Sequence, residues 1–504
     1  MKHTSTLRTK TLQRGAIATV VIAASALGIS AWAQKEAAPA SAASASTPAP
    51  TSAPAASNIP ATRGQVGPQD MVTVAPHLPE AKIDGASAKD PLVRGEYLAR
   101  MGDCVACHTA PGGKPFAGGL PLGSPIGTMY SSNITPDKTA GIGSYSFEEF
   151  DQAVRHGKDK RKGSLYPAMP YPSYAQVSTQ DMQDLYAYFM QKVEPVSAQV
   201  PDNDIPWPLS MRWPVSIWRG MFAPNADKIQ AKAEAVAPTA DAKLRGAYLV
   251  EGLGHCGACH TPRSFTMAEK GLDSSDSRFL SGGNAPMDGW VAKSLRGNDA
   301  DGLAAWSEAD IVALLKTGRN NHTAVFGGMG DVIAHSTQYI SDGDLKAIAV
   351  YLKSLPAQDK QKSRFTASSD TANALWRGDT KQYGSALYLD NCAACHRTDG
   401  KGYQQVFPAL AGNAAVLSDD PNNLIRIVLQ GGKLPATTTR PSTFTMPAFA
   451  WRMSDQQVAD LVTFVRSSWG NQAGAVSATQ VKDIRKSLPA PPPATAQTAQ
   501  ASKP

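Results

Sequence analysis

All six cysteines of this 504-residue chain fall in three copies of one string, Cys-x-x-Cys-His. The copies are Cys104-Val-Ala-Cys107-His108, Cys256-Gly-Ala-Cys259-His260 and Cys392-Ala-Ala-Cys395-His396. Two thiols at this spacing can add to the two vinyl groups of one haem, and the histidine directly after them then lies under the iron. This is the attachment spacing of c-type haem. A lone Cys-x-x-Cys also suits a redox disulfide or half a zinc site. A redox pair does not need the trailing histidine, and a zinc site needs two pairs that converge, whereas these pairs lie far apart in sequence. Disulfides between motifs are the alternative open to an exported chain. The residues therefore predict three covalently bound haem c groups and a role in moving electrons.

Histidine fills one axial position of each iron, and methionine sulfur is a common occupant of the other in electron-transfer cytochromes c. Each unit should then offer a methionine downstream of its motif and ahead of its last helix. Met169 in Tyr-Pro-Ala-Met-Pro, Met329 in Phe-Gly-Gly-Met-Gly and Met446 in Thr-Met-Pro-Ala-Phe hold that position. Met129, Met267, Met287 and Met453 are the alternatives, Met453 the poorer for standing at the start of the closing helix. The prolines beside Met169 are expected to hold it in a stiffly extended loop. The glycines beside Met329 would let it move. A backbone carbonyl should orient the second ring nitrogen of each histidine. Pro408 is placed for this in the third unit, with Pro111 and Pro262 as candidates in the others.

The elements that position these groups repeat three times. Each unit opens on a short helix with a glycine near an aromatic: Gly95 and Tyr97, Gly246 and Tyr248, Gly384 and Tyr388. Each closes on a helix begun by Ser178-x-x-Asp181, Ser341-x-x-Asp344 or Ser454-x-x-Gln457, the pattern of a capping box. Behind these run Leu185, Tyr188 and Phe189; Leu345, Ile348 and Tyr351; and Val458, Leu461 and Val465, which at helical spacing predict buried stripes. The glycine should let an aromatic of the last helix cross the first closely. The predicted fold is mainly α: three tandem class I cytochrome c domains, each a small helical bundle around one covalent haem. They are placed at 88–195, 240–358 and 378–470, with linkers at 196–239 and 359–377.

The apolar share of 42% allows packed cores, and the formal charge of +7 includes four bases in the first 33 residues. No basic tract suggests nucleic acid. Residues 1–33 read as an export signal with cleavage after Ala33, an uncleaved anchor being the alternative. An Ala/Pro/Ser-rich tether follows at 34–87, and 471–504 form a tail. In that tail, Val481, Ile484 and Leu488 beside Lys482, Arg485 and Lys486 fit either a short interfacial helix or a solvated segment. The linker stretch from Ile205 to Trp218 is rich in Pro and Trp. Its prolines argue against regular structure. Its tryptophans should be buried, either fixing the first unit against the second or meeting a partner or membrane.

Four stretches carry a further likeness: Gly127-Thr-Met-Tyr-Ser-Ser-Asn-Ile-Thr-Pro136, Tyr166-Pro-Ala-Met-Pro-Tyr-Pro172, Ile205-Pro-Trp-Pro-Leu-Ser-Met-Arg-Trp213 and Ala324-Val-Phe-Gly-Gly-Met-Gly-Asp331. With them, residues 90–472 resemble the tri-haem cytochrome c subunits of bacterial membrane-bound dehydrogenases. Those of quinoprotein alcohol dehydrogenase and of flavin-dependent gluconate, sorbitol and fructose dehydrogenases are similar. The resemblance implies a partner catalytic subunit, quinoprotein or flavoprotein, and electrons leaving to ubiquinone at the periplasmic face of the cytoplasmic membrane. It implies axial ligation by His108 and Met169, His260 and Met329, and His396 and Met446. No substrate-oxidising site is expected in this chain. The alternatives are a haem enzyme with one open iron site and a free periplasmic shuttle.

Overall fold

The computed structural model describes residues 88–488 except 238, 287, 300 and 359–361. The expected signal, the tether, Met287 and the end of the tail lie outside the described residues.

Asp90 starts helix α1 (Pro91–Met101): its carboxylate accepts from Leu92 N–H at 2.9 Å, and Pro91 stands where a missing N–H costs nothing. After one turn at Cys104–Cys107 come the β1 (Pro121–Ser124) and β2 (Gly127–Tyr130) hairpin and α2 (Phe147–Val154). A small ladder of β3 (Lys158–Asp159) and β4 (Gly163–Ser164) leads to α3 (Thr179–Gln191). Helices α4 (Trp213–Phe222) and α5 (Ala226–Val236) follow. The plan then recurs. Helix α6 (Ala242–Ala247) continues as a wider turn through Leu253, and α7 (Glu308–Thr317), α8 (Gly328–His335) and α9 (Asp342–Ser354) complete the second segment. The third has α10 (Tyr383–Asn391), α11 (Asn422–Gln430), a β5 (Gly432–Lys433) and β6 (Thr445–Met446) ladder, α12 (Asp455–Ser467) and α13 (Ala478–Lys486).

The first and last helices of each segment cross where the glycine was expected. A Cβ at Gly95, Gly246 or Gly384 would collide with the carbonyl of Asp184, Ala347 or Asp460. It would also lie 2.7, 2.6 or 2.7 Å from the Cβ of Tyr188, Tyr351 or Phe464. The predicted stripes on α3, α9 and α12 are all buried. Ser178, Ser341 and Ser454 cap these helices, each accepting the N–H of the residue three ahead at 3.2 Å. Only Ser454 completes the reciprocal box, with Gln457 accepting its N–H at 2.9 Å.

Asp181 and Asp344 do not close their boxes because they join the first two segments. Tyr97 donates to Asp344 at 2.6 Å and Tyr248 to Asp181 at 2.6 Å. Each carboxylate also takes an arginine from its own segment: Arg94 Nε on Asp181 at 3.1 Å, and Arg245 Nε and Nη2 on Asp344 at 2.8 and 2.9 Å. One apolar cluster, from Tyr97 to Leu355, runs through both segments, while the third has its own, from Leu375 to Val481.

Two expectations fail. Residues 213–222 are helical in spite of the prolines, since Pro214 stands in the first turn of α4. Nor are the tryptophans all buried: Trp207 and Trp213 are 79% and 63% exposed. Trp218 alone is held, its Nε1–H donating to Thr266 O at 2.8 Å and its ring meeting Tyr171. In the tail, α13 gives its apolar face to the third core. Val481 is fully buried, Ile484 and Leu488 pack beside it, and Arg485 donates to Asp455 and Ala450. It is a structural helix, so the interfacial reading lacks the apolar face it needs.

Candidate functional site

Each Cys-x-x-Cys-His turn follows a helix that its crossing glycine locks in place, and the three turns open on one largely apolar cavity of about 1970 Å³. A pocket for one drug-sized ligand measures roughly 300–1,000 Å³, so this space exceeds a single-ligand site. All six cysteines, His108, His260, His396, Met169, Met329 and Met446 line it.

None of the six cysteines is paired in a disulfide. Burial, the largest cause, pushes Cys104, Cys256 and Cys392 up to about 12. A thiol so hard to ionise is a poor redox nucleophile. Among the described residues no His/Cys/Asp/Glu cluster could hold a metal ion, so the pairs do not converge as a zinc site would require.

Each histidine has Nδ1 against a backbone carbonyl: Ser132 for His108 at 2.7 Å, Lys293 for His260 at 2.7 Å and Pro408 for His396 at 2.9 Å. A carbonyl only accepts, so Nδ1 carries the proton and Nε2 keeps its lone pair. Burial lowers all three pKa values, favouring the neutral ring. Pro408 is the expected residue. Pro111 and Pro262 do not serve; the Pro262 carbonyl accepts instead from Lys270 N–H at 2.9 Å. They follow their histidines too closely, and the acceptor must come from chain returning across the site. The returning strands share a signal that the motifs alone do not carry. Two residues past each acceptor stands Ile134, Leu295 or Leu410, whose N–H donates to Phe116, Leu280 or Gly400 at 2.9, 2.9 or 2.7 Å.

Of the methionines, Met169 lies in a turn rather than an extended loop, with its N–H on Tyr166 O at 3.3 Å and its carbonyl accepting from Tyr171 at 2.8 Å. Met329 is the second residue of α8, not part of a loose glycine loop. The helix can begin there because Gly327 has φ +62° and a Cβ on it would meet the Trp290 ring at 2.5 Å. Met446 is held on β6 opposite Gly432. Met129 and Met267 also line the cavity, while Met453 is buried in the third core.

The first two motifs interlock. Gly102, two residues before Cys104, packs on Leu253, and Gly254, two before Cys256, packs on Met101. The Gly102 carbonyl accepts from Tyr174 OH and faces His255 Nε2, both at 3.3 Å. The peptide before one attachment turn is thus bonded to the residue directly before the other.

The cytochrome c family model matches residues 382–469. The gluconate 2-dehydrogenase cytochrome c subunit of Pantoea cypripedii is 57% identical over 410 residues, covering 81% of this chain and 92% of that one. The cytochrome c subunit of alcohol dehydrogenase (quinone) from Gluconobacter oxydans is 49% identical over 397 residues, 78% of this chain and 81% of the relative. The fructose dehydrogenase cytochrome subunit of Gluconobacter japonicus is 39% identical over 422 residues, 79% and 84%. A cytochrome c domain implies covalently bound haem c, and the thiols, neutral imidazoles and apolar walls described above fit that group. The chain belongs to the family of cytochrome c subunits of bacterial dehydrogenases.

Proposed function

We propose that this chain is an electron-transfer subunit with three haem c groups, one on each Cys-x-x-Cys-His turn of three tandem cytochrome c domains. It relays electrons from a periplasmic dehydrogenase catalytic subunit, quinoprotein or flavoprotein, to ubiquinone at the cytoplasmic membrane. The observation that carries the reading is the convergence of twelve residues chosen from sequence on one apolar cavity. Bound haem supplies reversible one-electron exchange at iron. The residues of the chain do the rest. Cys104 and Cys107, Cys256 and Cys259, and Cys392 and Cys395 tether the group. His108, His260 and His396, each turned by its carbonyl, present Nε2. Met169 from its turn, Met329 from the first turn of α8 and Met446 from β6 would offer sulfur, and apolar walls exclude water. The relatives' printed names support the dehydrogenase partner. Export by residues 1–33 would place attachment outside the cytoplasm, and no helix among the described residues is long and apolar enough to cross a membrane.

Haem content tests this reading. Alkaline pyridine spectra and intact mass of the purified chain should give three covalent haems, and the double variant Cys256→Ala/Cys259→Ala should give two. A wild-type count of one or two, or haem lost on acid–acetone extraction, overturns it.

A further inference from the structure

Lys293 takes part in two segments at once. Its carbonyl accepts from His260 Nδ1 at 2.7 Å in the second segment, and its Nζ donates to Ser418 Oγ in the third, also at 2.7 Å. Ser418 closes the turn at Ala414–Leu417 and takes a second cation there. Arg466 Nη1 donates to the carbonyls of Ser418 and Val416, each at 2.8 Å. The other end of the turn is tied down as well. Asn413 caps it, and Nδ2 donates to Ala409 O at 2.9 Å and to His322 O of the second segment at 3.1 Å. An ammonium and a guanidinium are thus held on one anchored turn, and the ammonium belongs to the residue that orients His260.

The countercharges lie farther out. Among the described residues neither Lys293 nor Arg466 makes an ion pair. Asp420 and Asp301 face Lys293, and Asp419 and Asp420 face Arg466. Asp419 and Asp420 are exposed, Asp419 is paired with Arg364, and Asp301 is half-buried. Arg466 and Ser418 are only 2% and 7% exposed. Water screens the exposed acids more than it screens the cations, so the field around His260 takes the cations' sign. We propose that Lys293 is a positioning residue of the second site that also sets its redox balance. Its carbonyl turns His260, and its ammonium, anchored on the third segment, favours the reduced state of the iron bound there. Reduction adds one electron from the dehydrogenase and removes one positive charge from the iron, and a fixed cation favours the less positive state. The inference rests on the electron-transfer reading and adds to it a dependence of the second site on the third segment.

Any substitution at 293 keeps the backbone carbonyl, so charge and orientation can be separated. Spectroelectrochemical titration of the full haem-loaded chain assigns the waves: the one missing from Cys256→Ala/Cys259→Ala belongs to the second site, and the one missing from Cys104→Ala/Cys107→Ala to the first. Lys293→Met should move the second wave to lower potential, by about threefold or more in the reduction equilibrium constant, and leave the first in place. Lys293→Arg, which keeps the charge, should leave both in place. Ser418→Ala, which releases Nζ toward water, should move the second wave downward although residue 418 lies in the third segment. The proposal is overturned if the second wave stays in place in Lys293→Met or Ser418→Ala, or if the first wave moves with it. It is equally overturned if Lys293→Arg moves the wave as far as Lys293→Met does. Carbon monoxide uptake by reduced Lys293→Met would make the shift one of ligation and would also overturn it. Haem counting keeps the two readings apart. A wild type without haem on Cys256 and Cys259 defeats the electron-transfer reading, whereas three haems with an unmoved second wave defeat only this proposal.

Discussion

An imidazole whose Nδ1–H is committed to a carbonyl can bind iron only through Nε2, and His108, His260 and His396 are all committed in this way. What remains variable at each site is the opposite side, and there Met329 and Met453 provide a contrast. Met329 starts α8 and faces the cavity; Met453 is 5% exposed within the third core. Met329→Ala should open one iron without disturbing the His260–Lys293 bond. The reduced variant should then bind one carbon monoxide per chain, where the wild type binds none. Met453→Ala should bind none and instead lose about 2–5 kcal/mol of stability, the usual cost of truncating a buried methionine. Carbon monoxide titration followed by visible absorption checks both; uptake by the wild type would remove Met329 from the ligand set. The cysteines, histidines and methionines, which line one cavity, were open to selection from sequence because their spacing and order along the chain are chemical constraints. The carbonyls of Ser132 and Lys293 were not, since any residue type supplies a carbonyl and the returning loop differs in length among the three segments.

At the scale of elements, a code of three positions per segment decides which segments pair. Arg94 and Tyr97 on α1 match Arg245 on α6 and Tyr248 at the start of the wider turn that continues it, and Asp181 on α3 matches Asp344 on α9. Each carboxylate binds its own segment's arginine and the other segment's tyrosine. The third segment has Tyr383, Ala386 and Gln457 at the matching places, and Gln457 donates to Tyr383 within the segment at 3.0 Å. All of these letters are visible in sequence. They read as capping residues because the tertiary partner that diverts an aspartate from its cap is invisible locally. Burial pushes Asp344 up, but its bonds to Arg245 and the Tyr97 hydroxyl outweigh that and hold it below the usual carboxylate range. A carboxylate depressed in the folded state stabilises fully above its unfolded value, about 3.9, and the contribution fades as pH falls through the lower folded value. The melting temperature of wild type should therefore drop more between about pH 5 and pH 3 than that of Asp344→Asn, which has no charge to lose. Asp344→Ala, which leaves the Arg245 guanidinium buried without its partner, should cost about 3–5 kcal/mol at neutral pH. Gln457→Ala, which removes half of a cap and the bond to the exposed Tyr383 hydroxyl, should cost about 1 kcal/mol. Thermal melts of the haem-loaded variants measure all three, and equal pH sensitivity of wild type and Asp344→Asn would refute the assignment.

For the whole molecule, the threefold plan was legible because periodic glycines, caps and stripes recur in register with the motifs. That two repeats fuse into one body was not, because a shared core leaves no periodicity of its own. The fused pair has one apolar cluster from Tyr97 to Leu355. The third segment meets it through apolar contacts, Phe326 against Gly432 and Pro435 against Gly318, and through hydrogen bonds. Asn423 exchanges two hydrogen bonds with the Val291 backbone at 2.9 and 2.7 Å, Asn422 donates to Gly289 O at 2.7 Å, and Lys293 donates to Ser418 at 2.7 Å. Such bonds contribute a net of about 0.5–1.5 kcal/mol each, whereas each large side chain buried in a shared core contributes about 1.5–3 kcal/mol. The third segment keeps a core of its own, so its joint to the second should be weaker than the joint between the first and second. Calorimetry of the haem-loaded chain should resolve two transitions, one for the fused pair and one for the third segment with α13. Asp344→Ala should lower the first and leave the second in place. Asn423→Ala should leave the fused-pair transition unmoved, since it cuts only the weaker joint. A single transition shifted as a unit by Asp344→Ala would mean that this joint couples the two bodies as tightly as the shared core joins the pair.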